Sequence, residues 1–210
     1  MISCIIPAYN EETRIKDVIY AIKNSNLVDE IIVVSDGSTD NTGEVARSCK
    51  VTKVLELKNN IGKGGAIIEG LKYAKGEIIL LADADLRGLN KENLEKLIKP
   101  VLEDKADMTI GCNIPFVKKE FSGLRCLKRF LLEPETNEEY ERLLKSRFNI
   151  ENELNTKAEK KNLRVIYVKM KGVRNVHKIK KYGFKEGLKR TIEMYFQLAF
   201  YFIKNKVKLF

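Results

Sequence analysis

Short apolar runs alternate with amphipathic segments over the first 112 residues, and that alternation restricts the fold more than any other feature of the chain. Residues 2–6, Ile-Ser-Cys-Ile-Ile, read as a buried strand ending at Pro7. Residues 11–23 have helical spacing, with Ile15, Val18, Ile19 and Ile22 on one face. Residues 30–35 hold Ile-Ile-Val-Val, a second strand, and Ser38 and Thr39 offer caps for a helix over 42–49. The pattern predicts further strands over 51–57, 77–82 and 107–112, with helices over 65–74 and 91–103 between them. Strands that read as continuous apolar runs, separated by helices, predict an α/β fold. Its central sheet is mostly parallel, with helices on both faces. In such sheets ligands sit at the carboxyl ends of the strands.

The second half is less regular. Residues 118–129 mix basic residues with a glycine. Residues 137–144 and 150–161 read as helices, 163–168 as a strand and 184–203 as a long helix. With 210 residues, no linker and no internal repeat, one domain with an extension is expected. Charge divides the chain more sharply than composition does. Residues 1–112 carry 15 Lys+Arg against 18 Asp+Glu, whereas residues 113–210 carry 24 against 11. A surplus of that size calls for an anionic partner: a phosphorylated acceptor, a lipid surface or nucleic acid. Cys4, Cys49, Cys112 and Cys126 form no C-x-x-C pair, and are expected to be reduced thiols of a cytoplasmic protein. The opening run lacks the basic segment of a signal peptide. No stretch reaches the roughly 20 apolar residues of a membrane span.

The predicted strand ends are chemically rich. Pro7-Ala8-Tyr9-Asn10-Glu11-Glu12 follows the first strand, Asp36-Gly37-Ser38-Thr39-Asp40 the second, and Asp83-Ala84-Asp85 the fourth. Singly, Asp36 and Asp40 also suit turns and caps, and an isolated Asp-x-Asp is common. Three acidic clusters along one sheet edge repel each other unless a cation or a donor-rich ligand joins them. Asp83 and Asp85 can both reach one hard divalent cation that also takes diphosphate oxygens. Asn60-Ile61-Gly62-Lys63-Gly64-Gly65 follows the third strand and opens a helix. Its amides and Lys63 suit a phosphate, although the spacing fits neither the dinucleotide fingerprint nor the P-loop.

In order and spacing, Pro7–Glu12, Val34–Asp40, Gly62-Lys63-Gly64 and Asp83-Ala84-Asp85-Leu86 resemble the family 2 glycosyltransferases of the GT-A fold. The resemblance covers residues 1–112 and implies transfer of a sugar from a UDP- or GDP-linked donor, with Mg2+ or Mn2+. It implies that Pro7, Ala8, Tyr9, Glu11, Asp36, Lys63 and Asp83 bind the nucleotide. Asp83 and Asp85 would be the metal-binding pair, with Asp85 the catalytic ligand. Residues 1–112 would then form the nucleotide-sugar half of one GT-A domain, 113–183 the acceptor half, and 184–210 a basic, aromatic helix.

The acceptor half carries weaker likenesses. Ser122-Gly123-Leu124-Arg125 resembles a segment of dolichol-phosphate mannose synthases, which implies acceptor binding by Ser122, Gly123 and Arg125. Read alone, the segment is the start of a solvated basic helix. Phe148-Asn149-Ile150-Glu151-Asn152-Glu153-Leu154 resembles the family's G-F-G-I-E-x-E-L segment without its glycines, and makes Glu151 or Glu153 a catalytic candidate. On a helix the two point to different faces, so one is expected in the site. His177 is the lone histidine and lies where glucosyl-3-phosphoglycerate synthase-like relatives place a metal ligand; its other reading is a structural or surface side chain.

Two departures narrow the acceptor. The chain has no Trp and no span, unlike the processive cellulose, chitin and hyaluronan synthases. Asp85-Leu86 is followed by Arg87-Gly88-Leu89 rather than the Gln-His-Pro usual in dolichol-phosphate mannose synthases. The apolar stretch 194–203, with basic flanks, either lies at a membrane surface or packs on the core or a second subunit of a homodimer. Polyprenyl phosphate and a small phosphoacid both remain as acceptors. A nucleotidyltransferase competes as an enzyme class, but its glycine-rich loop belongs after the first strand, where Pro7–Glu12 stand. A basic RNA-binding protein is the non-enzymatic alternative. It is disfavoured because the aromatics cluster in one apolar stretch instead of interleaving with the basic residues, so no nucleic-acid partner is expected.

Overall fold

The computed structural model describes residues 1–112 and 122–175, with two isolated positions at 188 and 192. His177 and the helix expected over 184–203 lie outside the described residues, those two positions apart. The chain divides into two compact units, Met1–Arg174 and Asn175–Phe210, and the fold below is that of the first.

Its elements alternate as the apolar runs require. Strand β1 (Ile2–Ala8) is followed by α1 (Ile15–Lys23), β2 (Glu30–Ser35), α2 (Thr42–Ser48), β3 (Lys53–Glu56), α3 (Lys63–Leu71) and β4 (Ile78–Leu81). A two-residue strand, β5 (Leu86–Arg87), precedes α4 (Lys91–Leu102) and β6 (Met108–Cys112). Then come β7 (Arg125–Lys128), α5 (Asn137–Leu144), α6 (Ile150–Lys160) and β8 (Val165–Lys169).

The main sheet has the order β3-β2-β1-β4-β7-β6-β8. β1 pairs in parallel with β2 and β4, β2 with β3, and β6 with β8; β7 alone runs antiparallel, between β4 and β6. The chain moves outward from β1 through β2 to β3, and α3 then carries it back to β4 on the other side of β1. The strand order therefore reverses between β1 and β4, and their carboxyl ends open the crevice where ligands of open α/β sheets bind. Pro7 fits this place: β4 pairs with β1 only as far as Ile5, so the N–H that proline lacks falls beyond the end of that ladder.

Successive side chains of a strand face opposite ways, and here both ways lead into core. Cys4, Ile6, Ile31, Val33 and Leu80 pack with Ile15, Val18, Ile19 and Ile22 of α1 and Leu94, Leu97 and Val101 of α4. Ile5, Ile32, Val34, Ile79 and Leu81 pack with Ala66, Ile67 and Leu71 of α3, Leu143 of α5, and Ile150, Leu154 and Ala158 of α6. Each fully buried Ile or Leu contributes roughly 1.5–3 kcal/mol relative to exposure. The result is an α/β/α sandwich, as the alternation predicts.

Three local expectations need correction. The basic segment before Arg129 is no helix start: Arg125–Lys128 form β7, with Arg125 opposite Leu81 of β4 and Ile110 of β6. Ser38 and Thr39 do not cap α2, whose N-cap is Asn41. They instead bind Asn10 across the site: the Asn10 N–H donates to Ser38 Oγ at 3.2 Å, and the Thr39 N–H to Asn10 Oδ1 at 2.8 Å. Helix α3 begins at Lys63, which makes that lysine its first residue instead of a loop residue.

Candidate active site

The loops after β1 and β2 are stitched into one wall. The Glu11 N–H donates to Thr42 Oγ1 at 2.7 Å, the Glu12 N–H to Asp40 Oδ2 at 3.2 Å, and the Asn41 N–H to Glu12 Oε2 at 3.0 Å. Glu11 is only 3% exposed, and Arg14 reaches its carboxylate at 3.1 Å. Pro7 and Tyr9 are half-buried beside this wall, and Ala8 is buried.

Asp36 fastens the wall to the glycine-rich loop. Its two carboxylate oxygens accept from the N–H groups of Ile61 at 2.8 Å and Gly62 at 2.9 Å. The Asn60 side chain adds a bond to the Asp36 carbonyl at 3.0 Å. Burial raises the Asp36 carboxyl above the usual range; the two amides and the nearby Arg147 offset part of that rise.

The glycines of that loop make room for neighbours. Gly62 has a φ of 88°, and a Cβ there would sit 2.6 Å from Cγ of Arg147. A Cβ on Gly64 would strike Ser146 Oγ and lie 2.7 Å from the Leu143 carbonyl. One on Gly65 would lie 3.0 Å from the Leu144 carbonyl. The start of α3 is thus pressed against the end of α5 and the turn into α6. Close packing explains these glycines at least as well as an anion cradle.

Lys63 joins the two halves of the cleft. Its ammonium pairs with Asp83 after β4 and donates to Glu151 Oε1 of α6 at 2.5 Å. Burial alone would lower the lysine's pKa, but the two carboxylates outweigh it and hold the group above its ordinary value. Gly123 lies flat against this pair. A Cβ there would come 2.5 and 2.6 Å from the Asp83 carboxylate oxygens and would strike Lys63 Nζ. Asp85 is half-buried two residues on.

The structure thus gathers Lys63, Asp83, Glu151 and Gly123, with Asp36 and Gly62 adjoining. It separates the two glutamates: Glu153 faces Arg142 of α5, whose Nε donates to it at 2.8 Å. Arg125 is 0% exposed. Its Nε donates to the Ser122 carbonyl at 2.7 Å and its Nη1 to Asn155 Oδ1 at 2.7 Å. The guanidinium is buried and braces the segment Ser122-Gly123 against Asn155 of α6, so it is no part of a solvated basic surface. Ser122 and Gly123 belong to that segment, on the Lys63–Asp83 side. Among the described residues no three carboxylate, thiol or imidazole groups gather to hold a metal ion.

Arg147 was not singled out by sequence reasoning. It stands before Phe148, where the resembling segment has its first glycine, and its φ is 48°. The missing glycine was the only available signal, and it marks the backbone rather than the side chain.

Comparison with known proteins supplies the fold's relatives and the family. A UDP-N-acetylglucosamine--dolichyl-phosphate N-acetylglucosaminyltransferase of Methanococcus voltae is 34% identical over 148 residues, covering 61% of this chain and 58% of that protein. A human dolichyl-phosphate beta-glucosyltransferase is 36% identical over 151 residues, covering 62% and 46%. The chain spans about half the length of the curated relatives it matches. A glucosyl-3-phosphoglycerate synthase from Mycobacterium tuberculosis was crystallised with Mn2+, UDP and glucosyl-3-phosphoglycerate. It shares the fold at a TM-score of 0.69 and 22% identity, over 84% of this chain and 72% of that one. The model of one family, glycosyl transferase family 2, matches residues 3–176, and the chain belongs to that family.

Proposed function

We propose that the protein transfers a sugar from a nucleoside-diphosphate sugar to a phosphorylated acceptor, polyprenyl phosphate above all, with Mg2+ or Mn2+ in the site. The observation that carries this reading is the Lys63–Asp83–Glu151 cluster at the β1/β4 crevice, with Asp85 beside it. The donor set suits such a cation. Asp83 and Asp85 offer hard carboxylate oxygens, and a magnesium-like ion takes one or two carboxylates and completes its shell with phosphate oxygens and water. When bound, the ion neutralises charge that builds on the departing diphosphate.

The chain's own residues supply the remainder. The wall of Pro7, Ala8, Tyr9, Glu11 and Asp36 receives the nucleoside. Lys63 presents a fixed positive charge at the diphosphate, where preorganised charge lowers the barrier most. Glu151 holds that ammonium in place. A phosphate monoester is largely dianionic near neutral pH, so its oxygen attacks without first losing a proton. Glu151 therefore acts by positioning Lys63, and no general base is needed for such an acceptor. The dolichyl-phosphate relatives support this acceptor class.

Calorimetric titration with UDP and GDP in Mn2+ tests the donor site. Asp85→Ala should keep the circular dichroism of the fold and lose metal-assisted binding by about 100-fold or more, beyond the roughly 10–100-fold seen when outer-shell support is removed. Unchanged binding by this variant overturns the assignment.

A further inference from the structure

We propose that Arg147 is a donor-binding residue whose guanidinium grips the diphosphate of the nucleotide, and this rests on the reading of the crevice as a nucleotide-sugar site. Among the described residues six non-glycine positions have positive φ: Asn10, Asn26, Lys50, Asp104, Arg147 and Asn162. Four are Asn or Asp, the types that tolerate this conformation. Lys50 directly follows the C-cap of α2, where a left-handed residue is the usual stop. Arg147 is different: it opens the turn Arg147–Asn149 that leads into α6. A left-handed conformation is unfavourable for a long side chain, and such strain persists where the surroundings impose it.

The surroundings here are parts of the site. The stem of Arg147 fills the space that a side chain on Gly62 would need. Gly62 in turn gives its N–H to Asp36 and is followed by Lys63, which pairs with Asp83. Arg147 is therefore mounted between the nucleoside wall and the Lys63–Asp83 pair, the stretch a diphosphate must cross. Its side chain is exposed, and its charge is felt at Asp36. A planar guanidinium at this place matches phosphate oxygens in pairs, which a lysine does not. A surface arginine with no ligand to hold gives no reason to keep a backbone that glycine would adopt freely.

The opposed signs of two effects make the test. Arg147→Gly should relax the backbone and raise the melting temperature by about 2–4 °C. The same change should weaken UDP or GDP binding in Mn2+ by roughly 10–100-fold, the range for a lost charge-assisted bond. Arg147→Asn, which tolerates the same φ, should show the same loss of affinity with circular dichroism intact. Binding of the free nucleoside, measured by competition, should change little in either variant. Wild-type affinity for the diphosphates in either variant overturns the proposal, and so does an equal loss for the nucleoside. Failure of the unaltered protein to bind either diphosphate overturns the donor-site reading and Arg147's role with it.

Discussion

Among the glycines of the cleft, Gly123 is the one that bears directly on the charged Lys63–Asp83 pair. A single methyl there would strike the ends of both the Lys63 and the Asp83 side chains, which would have to shift. Gly123→Ala should lower stability by about 1–3 kcal/mol through overpacking. It should also weaken nucleoside-diphosphate binding about tenfold or more, because the displaced groups carry charge. Urea denaturation and calorimetry on one preparation check both, and a variant normal in each would show that Lys63 and Asp83 need not meet. At this scale the charged residues at the strand ends were easy to notice: Asp83, Asp85 and Lys63 stand out by type and spacing. Arg125 was not, because a cation in a basic segment reads as a surface group, and only the strand pairing reveals that it is sealed inside. Glu151 and Glu153 were told apart in principle by helical geometry, but which one met the site depended on where α5 lay.

Among the elements, β7 shows why topology outruns the pattern of apolar residues. Arg-Cys-Leu-Lys has no apolar run, yet it fills the middle of the sheet as its one antiparallel strand. Neighbouring strands supply its burial, and nothing local to it announces that. The edge of the same sheet is held differently. Asp107 at the start of β6 takes the Arg164 side chain at 3.0 and 2.9 Å and the Arg164 N–H at 3.0 Å. These bonds, helped by Lys128, hold the Asp107 carboxyl well below its usual range. A carboxyl lowered in the folded state stabilises fully above its unfolded value, near 4, and that stability drains as pH falls below it. Arg164→Ala should therefore lower the urea midpoint at pH 7, and lower it progressively less between about pH 4 and pH 2, the effect staying modest because the arginine is solvent-screened. Urea midpoints across that range check it; a cost that is the same at pH 2 as at pH 7 would place the effect in packing rather than charge.

For the molecule as a whole, the alternation of apolar runs sufficed to foresee three layers, but not the strand order that sets β1 beside β4. That order arises from crossovers whose handedness is general and whose destination is decided by long-range packing. The charge division has a plainer outcome. Within 122–175 many cations are already engaged, Arg129 with Glu133, Lys157 with Glu139 and Lys161 with Glu135 among them, so part of the basic surplus serves the fold itself. One consequence follows from Lys63 standing between Asp83 and Glu151. The cleft is supplied with its own counterion, so the polypeptide can reach its native form before any substrate arrives. Proteins whose metal gathers mutually repelling ligands unfold when it is chelated; this one should not. An excess of EDTA should leave the melting temperature within about 1 °C of the untreated protein, whereas nucleoside diphosphate with Mn2+ at 100 times its dissociation constant should add about 2.7 kcal/mol by mass action. A chelator-induced collapse would mean that Lys63 does not balance the site. Folding and loading are then separate events, and a newly made chain can wait, intact and empty, for its donor.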